Sequence, residues 1–101
     1  MNVRYKEWDC VVNIAHYGNG RPAILLETEQ GLPVATATVN ISFFKPAEGE
    51  VLIKDYSENE GILDCLADAG ILEPTGKELW SGHAKLHICR LLHPVTEMSR
   101  H

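Results

Sequence analysis

Between Asp55 and Ile71 this chain of 101 residues carries a helix pattern with its own start and stop signals, which any fold must accommodate. Ser57 and Glu60 have the S-x-x-E spacing of a capping box, in which each side chain satisfies an N–H orphaned at the helix start. Ile62, Leu63, Leu66, Ala67 and Ala69 then set an apolar stripe at helical spacing. Gly70 stands where a left-handed residue ends a helix, and Ile71 is placed to touch Leu66, as in a Schellman motif. The pattern predicts one principal helix over about 57–69.

The half before it reads as strands. Trp8 to His16 is rich in β-formers, with Cys10, Val12 and Ile14 on one face and Val11, Asn13 and Ala15 on the other. Tyr17 to Pro22 is dense in turn residues. Ala23 to Thr28 follows as a strand whose Ile24-Leu25-Leu26 run implies burial on both faces. After a second turn, Val34 to Phe43 gives the clearest period of two. Ala35, Ala37, Val39, Ile41 and Phe43 share a core face, and Thr36, Thr38, Asn40 and Ser42 share a solvent face. A short strand, Glu50 to Lys54, leads into the helix. Beyond the helix, Glu73 to Gly76 reads as a turn, Lys77 to His83 as a strand with Gly82 at a bend, and Ala84 to Leu92 as the last strand. Pro94 to His101 is a tail. The expectation is an α+β single domain over 1–101: a mostly antiparallel sheet of five or six strands, an N-terminal meander followed by β-α-β-β, with the one helix on a face.

Composition narrows the class. The apolar fraction is ordinary for a globular protein, and no run of about 18 apolar residues exists to span a membrane. The charged start, Met1 to Glu7, lacks the apolar region of a secretory signal. Cys10, Cys65 and Cys89 are odd in number and far apart, each within an apolar-periodic segment, so a disulfide framework is not expected. These observations point to the cytoplasm. Charge is unevenly placed. Residues 47–78 hold nine acids against Lys54 and Lys77, a net of −7, whereas the rest of the chain is net +2. Such a face repels a phosphate backbone and suits a basic partner protein, although a merely soluble acidic surface would carry the same charges. Direct nucleic-acid binding and membrane binding are therefore not expected, and the oligomeric state is open.

Two groups of side chains compete as the site. Asp55, Tyr56, Glu58 and Asn59 flank the capping box without being needed for it, and make a candidate recognition edge for a protein partner. Gly61, at the fourth helical position, costs about 1 kcal/mol relative to alanine. That cost suggests close approach of another strand or of the partner there. The alternative is a metal- or ligand-binding site, or a small enzyme, centred on His83, His87 and Cys89, the last two on one face of the final strand. Against it, no C-x-x-C or H-E-x-x-H companion accompanies them, and neither a G-x-S-x-G elbow nor a phosphate loop is present. Neither cofactor nor catalytic residue is expected.

The string Ile53-Lys54-Asp55-Tyr56-Ser57-Glu58-Asn59-Glu60-Gly61, the following helix, the Pro74-Thr75-Gly76 turn and the terminal Ile88-Cys89-Arg90-Leu91-Leu92 resemble a bacterial family of small proteins of unknown function. The likeness takes in the Ala35-Thr36-Ala37-Thr38-Val39-Asn40 strand and spans most of residues 8–92, with S-E-N-E-G its most specific part. Members of that family are often encoded on conjugative elements of gut bacteria, beside antirestriction and transfer genes. The resemblance implies an accessory protein of a mobile element, and it implies no reaction. The reading is therefore a non-catalytic binding protein, a mobile-element or anti-defence protein that recognises a basic macromolecule through its acidic helix region.

Overall fold

In the computed structural model, which describes residues 1–41 and 43–92, period-two alternation builds an antiparallel meander first. Strands β1 (Asn2–Tyr5), β2 (Trp8–His16), β3 (Pro22–Glu27) and β4 (Pro33–Thr36) lie side by side in chain order. Val3, Tyr5, Cys10, Val12, Ile24 and Leu26 point into the main core. Leu25, on the opposite face of β3, is only half-buried, so the Ile24-Leu25-Leu26 run is sealed on one side rather than two.

The second sheet is three-stranded. Strands β5 (Glu50–Lys54), β6 (Leu72–Ser81) and β7 (Ala84–Leu91) adopt the order β5-β7-β6, all antiparallel. Among the described residues the architecture is thus α+β with two antiparallel sheets and one α-helix, and seven strands where five or six were expected. One difference adds a strand and a second lengthens one. Asn2–Tyr5 pairs with β2 as an edge strand that its charged sequence did not announce. Glu73 to Gly76 is no turn but part of β6, where a register shift between Pro74 and Lys77 absorbs the proline and Gly76 takes φ 85°. Gly82 and His83 form the two-residue loop joining β6 to β7. Only Gly82 has positive φ, 62°, the pattern of a type II′ hairpin.

Val34 to Phe43 does not run as one strand. Pairing with β3 carries β4 only to Thr36, after which the chain crosses to the second sheet. Ala37 N–H still donates to Ile24 O, but Val39 N–H donates to Leu52 O, and Thr38 bridges to Ile53. The alternation therefore serves two cores. Ala35 and Ala37 join the main one, whereas Val39, Ile41 and Phe44 cover Leu52, Leu86 and Ile88 on the far face of the second sheet. At the crossing Thr38 is buried, contrary to the solvent face expected for it, and its Oγ1 accepts from Ile24 N–H at 3.2 Å and meets Tyr17 Oη at 3.0 Å. Phe43, expected in the core, is 70% exposed, and Ser42 lies outside the described residues.

This crossing reverses an expectation. Thr38→Ala should cost about 1–3 kcal/mol, because it orphans a buried N–H. Ile41→Ala, at a half-buried site, should cost no more. Paired denaturant titrations check this, and a much larger loss at Ile41 would put the segment back in one strand.

The helix expected over 57–69 is two elements: a 3₁₀ turn at Ser57–Asn59 and α1 at Ile62–Asp68. The capping box does not form. Ser57 makes no side-chain cap bond and takes φ 59°, and Glu60 follows the turn rather than sitting inside a helix. Gly61 explains the break. Its φ of 87° redirects the chain between the two elements, and nothing approaches the position a Cβ would take, so left-handed conformation rather than close packing accounts for this glycine. The far end is as the sequence predicts. Ile71 N–H donates to Leu66 O, Gly70 N–H donates to Ala67 O, and Gly70 has φ 75°, which completes a Schellman motif. Ile62 and Leu66 bury α1 against β1, β5 and β6, spanning the gap between the sheets. No helix among the described residues is long and apolar enough to cross a membrane. The tail expected over 94–101 lies outside the described residues.

Candidate functional site

The four residues of the expected recognition edge separate once the chain folds. Asn59 is 2% exposed, and its Nδ2 donates to Thr36 O at 2.8 Å, tying the 3₁₀ turn to the meander. Its expected surface role is thus corrected: it satisfies a carbonyl at the end of β4. Asp55 is half-buried, and its Oδ1 accepts from Leu63 N–H at 3.0 Å, so it caps α1 from eight residues upstream in place of Ser57. Glu58 is exposed but engaged, its Oε2 lying 2.7 Å from Lys54 Nζ. The Lys54 ammonium beside it lowers the Glu58 carboxyl from the usual 4.5 to about 2, the Lys54 hydrogen bond being the main cause. Of the four, Tyr56 alone is an exposed group without a structural bond, and Lys54 Nζ lies 5.1 Å from its ring centroid.

What holds this knot comes from far away in sequence. Tyr5 Oη reaches the carbonyls of Glu58 and Glu60 at 3.1 and 2.9 Å, and Lys6 Nζ donates to Glu58 O at 3.1 Å. Such anchors leave no local signal, because the partners are more than fifty positions apart.

The acids of the helix region divide accordingly. Glu73 pairs with Arg90, and Glu78 with Lys85 at 3.3 Å. Glu60, Asp64 and Asp68 are exposed and have no cation within 4 Å among the described residues. Asp64 and Asp68 stand one turn apart on the outer side of α1, with Glu60 just before its start. The exposed negative charge without a cation is thus displayed on and beside α1, while within 55–59 only the half-buried Asp55 lacks one among the described residues.

His83, His87 and Cys89 do not converge. His83 sits in the hairpin loop, exposed. Cys89 is fully buried in the main core, and burial, aided by Asp55, pushes its thiol up to about 12, so it is protonated at neutral pH. Among the described residues no three His, Cys, Asp or Glu side chains are placed to share a metal ion.

The fold does unite parts of both candidate groups in one place. A cleft of about 550 Å³ opens between the Asp55–Tyr56 segment and the β6–β7 hairpin, lined by Asp55, Tyr56, Trp80, His83, Lys85 and His87. Cross-strand registry puts Trp80 opposite Lys85 and Glu78 opposite His87 on one sheet face. Trp80 is 60% exposed and Tyr56 39%, so two aromatic faces meet solvent at the cleft. Trp80 escaped the sequence reading. Its one available signal was an aromatic two residues before a hairpin glycine, which says nothing about exposure. No family model matches this chain, and no curated protein and no solved structure matches it.

Proposed function

We propose that this protein is a non-catalytic binding protein that recruits a basic protein partner through the acidic face of its helix region. The observation carrying this reading is the exposed set Glu60, Asp64 and Asp68, unpaired among the described residues, in a segment of net −7. Among the described residues Glu58, Glu78 and Glu73 are held by Lys54, Lys85 and Arg90, and Asp55 is half-buried as the cap of α1, so these three are the exposed carboxylates on and beside α1 left to act on an approaching molecule. Like-signed carboxylates one turn apart on a helix repel by a few tenths of a kcal/mol, and a cationic surface relieves that repulsion on binding. The same field disfavours a phosphate backbone, so direct nucleic-acid binding is not part of the proposal. An accessory or anti-defence role on a mobile element, implied by the family resemblance, supplies the biological setting. A reducing cytoplasm supplies the compartment, a choice supported by the free thiols of Cys10, Cys65 and Cys89.

The test is the triple variant Glu60→Lys, Asp64→Lys, Asp68→Lys, titrated with a fluorescent arginine-rich decapeptide and with an acidic counterpart. Asp64 lies in the first turn of α1, where reversal costs roughly 0.3–1 kcal/mol, and Asp68 lies in the last, where a cation gains a similar amount. Thermal stability should therefore hardly change while affinity for the basic peptide collapses. Equal affinity in the variant, or equal binding of the acidic peptide, would refute the proposal.

A further inference from the structure

The cleft offers chemistry that the helix face does not, namely aromatic faces, imidazoles and a carboxylate at one point. We infer that it seats an arginine side chain of the basic partner, stacked on Trp80 and Tyr56 with Asp55 as its counter-ion. This inference rests on the proposed function for the partner's sign and adds where a single residue of that partner docks.

Three observations support it. First, Asp55 lines the cleft half-buried, caps α1 through one oxygen, and has no cation within 4 Å among the described residues. A carboxylate partly withdrawn from water and lacking a partner favours a charged donor, and a guanidinium can bond it while lying flat against a ring. Second, the walls are aromatic. Tyr56 already receives one cation, Lys54, and the indole of Trp80 is the best of the side-chain π faces for another. Third, the resident cation does not cancel the site. Lys85 Nζ is 3.3 Å from Glu78 Oε2, so these two neutralise each other at the rim and leave the cleft and its edge net negative through Asp55. A phosphate or carboxylate ligand would meet the Asp55 carboxylate with the cleft's lysine already paired to Glu78, whereas a guanidinium meets Asp55 favourably.

The experiment uses the indole Nε1–H resonance of Trp80 as reporter and that of Trp8 in the β1–β2 hairpin as control. Three probes are titrated: a glycine-flanked peptide with a single arginine, the same peptide with citrulline, and free arginine. The arginine peptide should shift the Trp80 signal saturably and leave Trp8 unmoved, and the citrulline peptide should do neither. D55N keeps an oxygen that can cap α1 and removes the charge, so the fold is preserved while peptide affinity falls about tenfold. An unmoved Trp80 signal, an equal response to citrulline, or free arginine binding as tightly as the peptide would overturn the inference. The two proposals fail separately. An arginine-rich peptide that needs Glu60, Asp64 and Asp68 but leaves Trp80 unmoved defeats the arginine seat alone. A shifted Trp80 with no effect of the triple reversal defeats the helix-face reading alone.

Discussion

Ile53→Ala should destabilise the protein by about 2–5 kcal/mol, the range for truncating a fully buried aliphatic side chain whose surroundings cannot collapse. Ile53 is 0% exposed and sits on the central seam of the molecule. It pairs with His87 in β7 on one side and is bridged by Thr38 of the crossing segment on the other, while its side chain joins the main core under α1. Backbone bonded on both flanks cannot shift inward to fill a cavity, so the upper half of the range is the expectation. Urea unfolding with an unchanged m-value checks it. A loss below about 1 kcal/mol would mean that the two sheets are not stitched at this point.

Asn59→Asp should be nearly as damaging at neutral pH, and its cost should depend on pH. The buried amide donates to Thr36 O, so an ionised carboxylate in its place would face a carbonyl oxygen, with Lys54 nearby already paired to Glu58. An uncompensated buried charge costs about 3–5 kcal/mol. Protonation relieves this, because a neutral carboxyl can donate the same hydrogen bond. The introduced group therefore has a folded pKa raised above its unfolded value of about 3.9. The native state then holds more protons than the unfolded one, so stability falls as pH rises from about 4, by up to about 1.4 kcal/mol per pH unit. Stability curves of wild type and variant should converge near pH 3 and separate by pH 7. A constant gap would show that residue 59 is solvated.

These two sites also mark where the sequence was legible. Strands that stay within one sheet along their whole length could be read from alternation and turn residues, as with Trp8–His16, Glu50–Lys54 and Ala84–Leu91. The end of α1 could be read because a Schellman motif is local: Leu66, Ala67, Gly70 and Ile71 carry the whole of it. Its start could not. Ser57 and Glu60 have capping-box spacing, but Tyr5 of β1 and Lys6 just after it hold the carbonyls of Glu58 and Glu60 in a 3₁₀ turn, and Asp55 supplies the cap instead. Long-range bonds outweighed a local preference worth about 1 kcal/mol. The segment after Val34 misled differently. Its alternation is real, yet burial on two different cores produces the same pattern as burial on one.

The sequence showed acidic charge concentrated over 47–78, and the structure shows which of those side chains other groups already hold. Asp55, Glu58 and Asn59 are polar residues that the fold does require, as a cap, an ion pair and a carbonyl partner respectively. Glu60, Asp64 and Asp68 carry no such duty among the described residues, which only their surroundings could reveal. The cleft was invisible for a related reason. Asp55 and Tyr56 reach Trp80, His83 and His87 only through the pairing of β5, β6 and β7.

The central claim is electrostatic recruitment of a basic protein by the helix face, and association kinetics test it most directly. Charge steering acts on the encounter and is screened by salt over a Debye length of about 10 Å at 0.1 M. Stopped-flow mixing with the fluorescent arginine-rich decapeptide at low and at physiological salt should show an association rate that falls about tenfold or more, with a dissociation rate that changes far less. An association rate indifferent to salt, or one unaltered by reversing Glu60, Asp64 and Asp68 to lysine, would contradict the account.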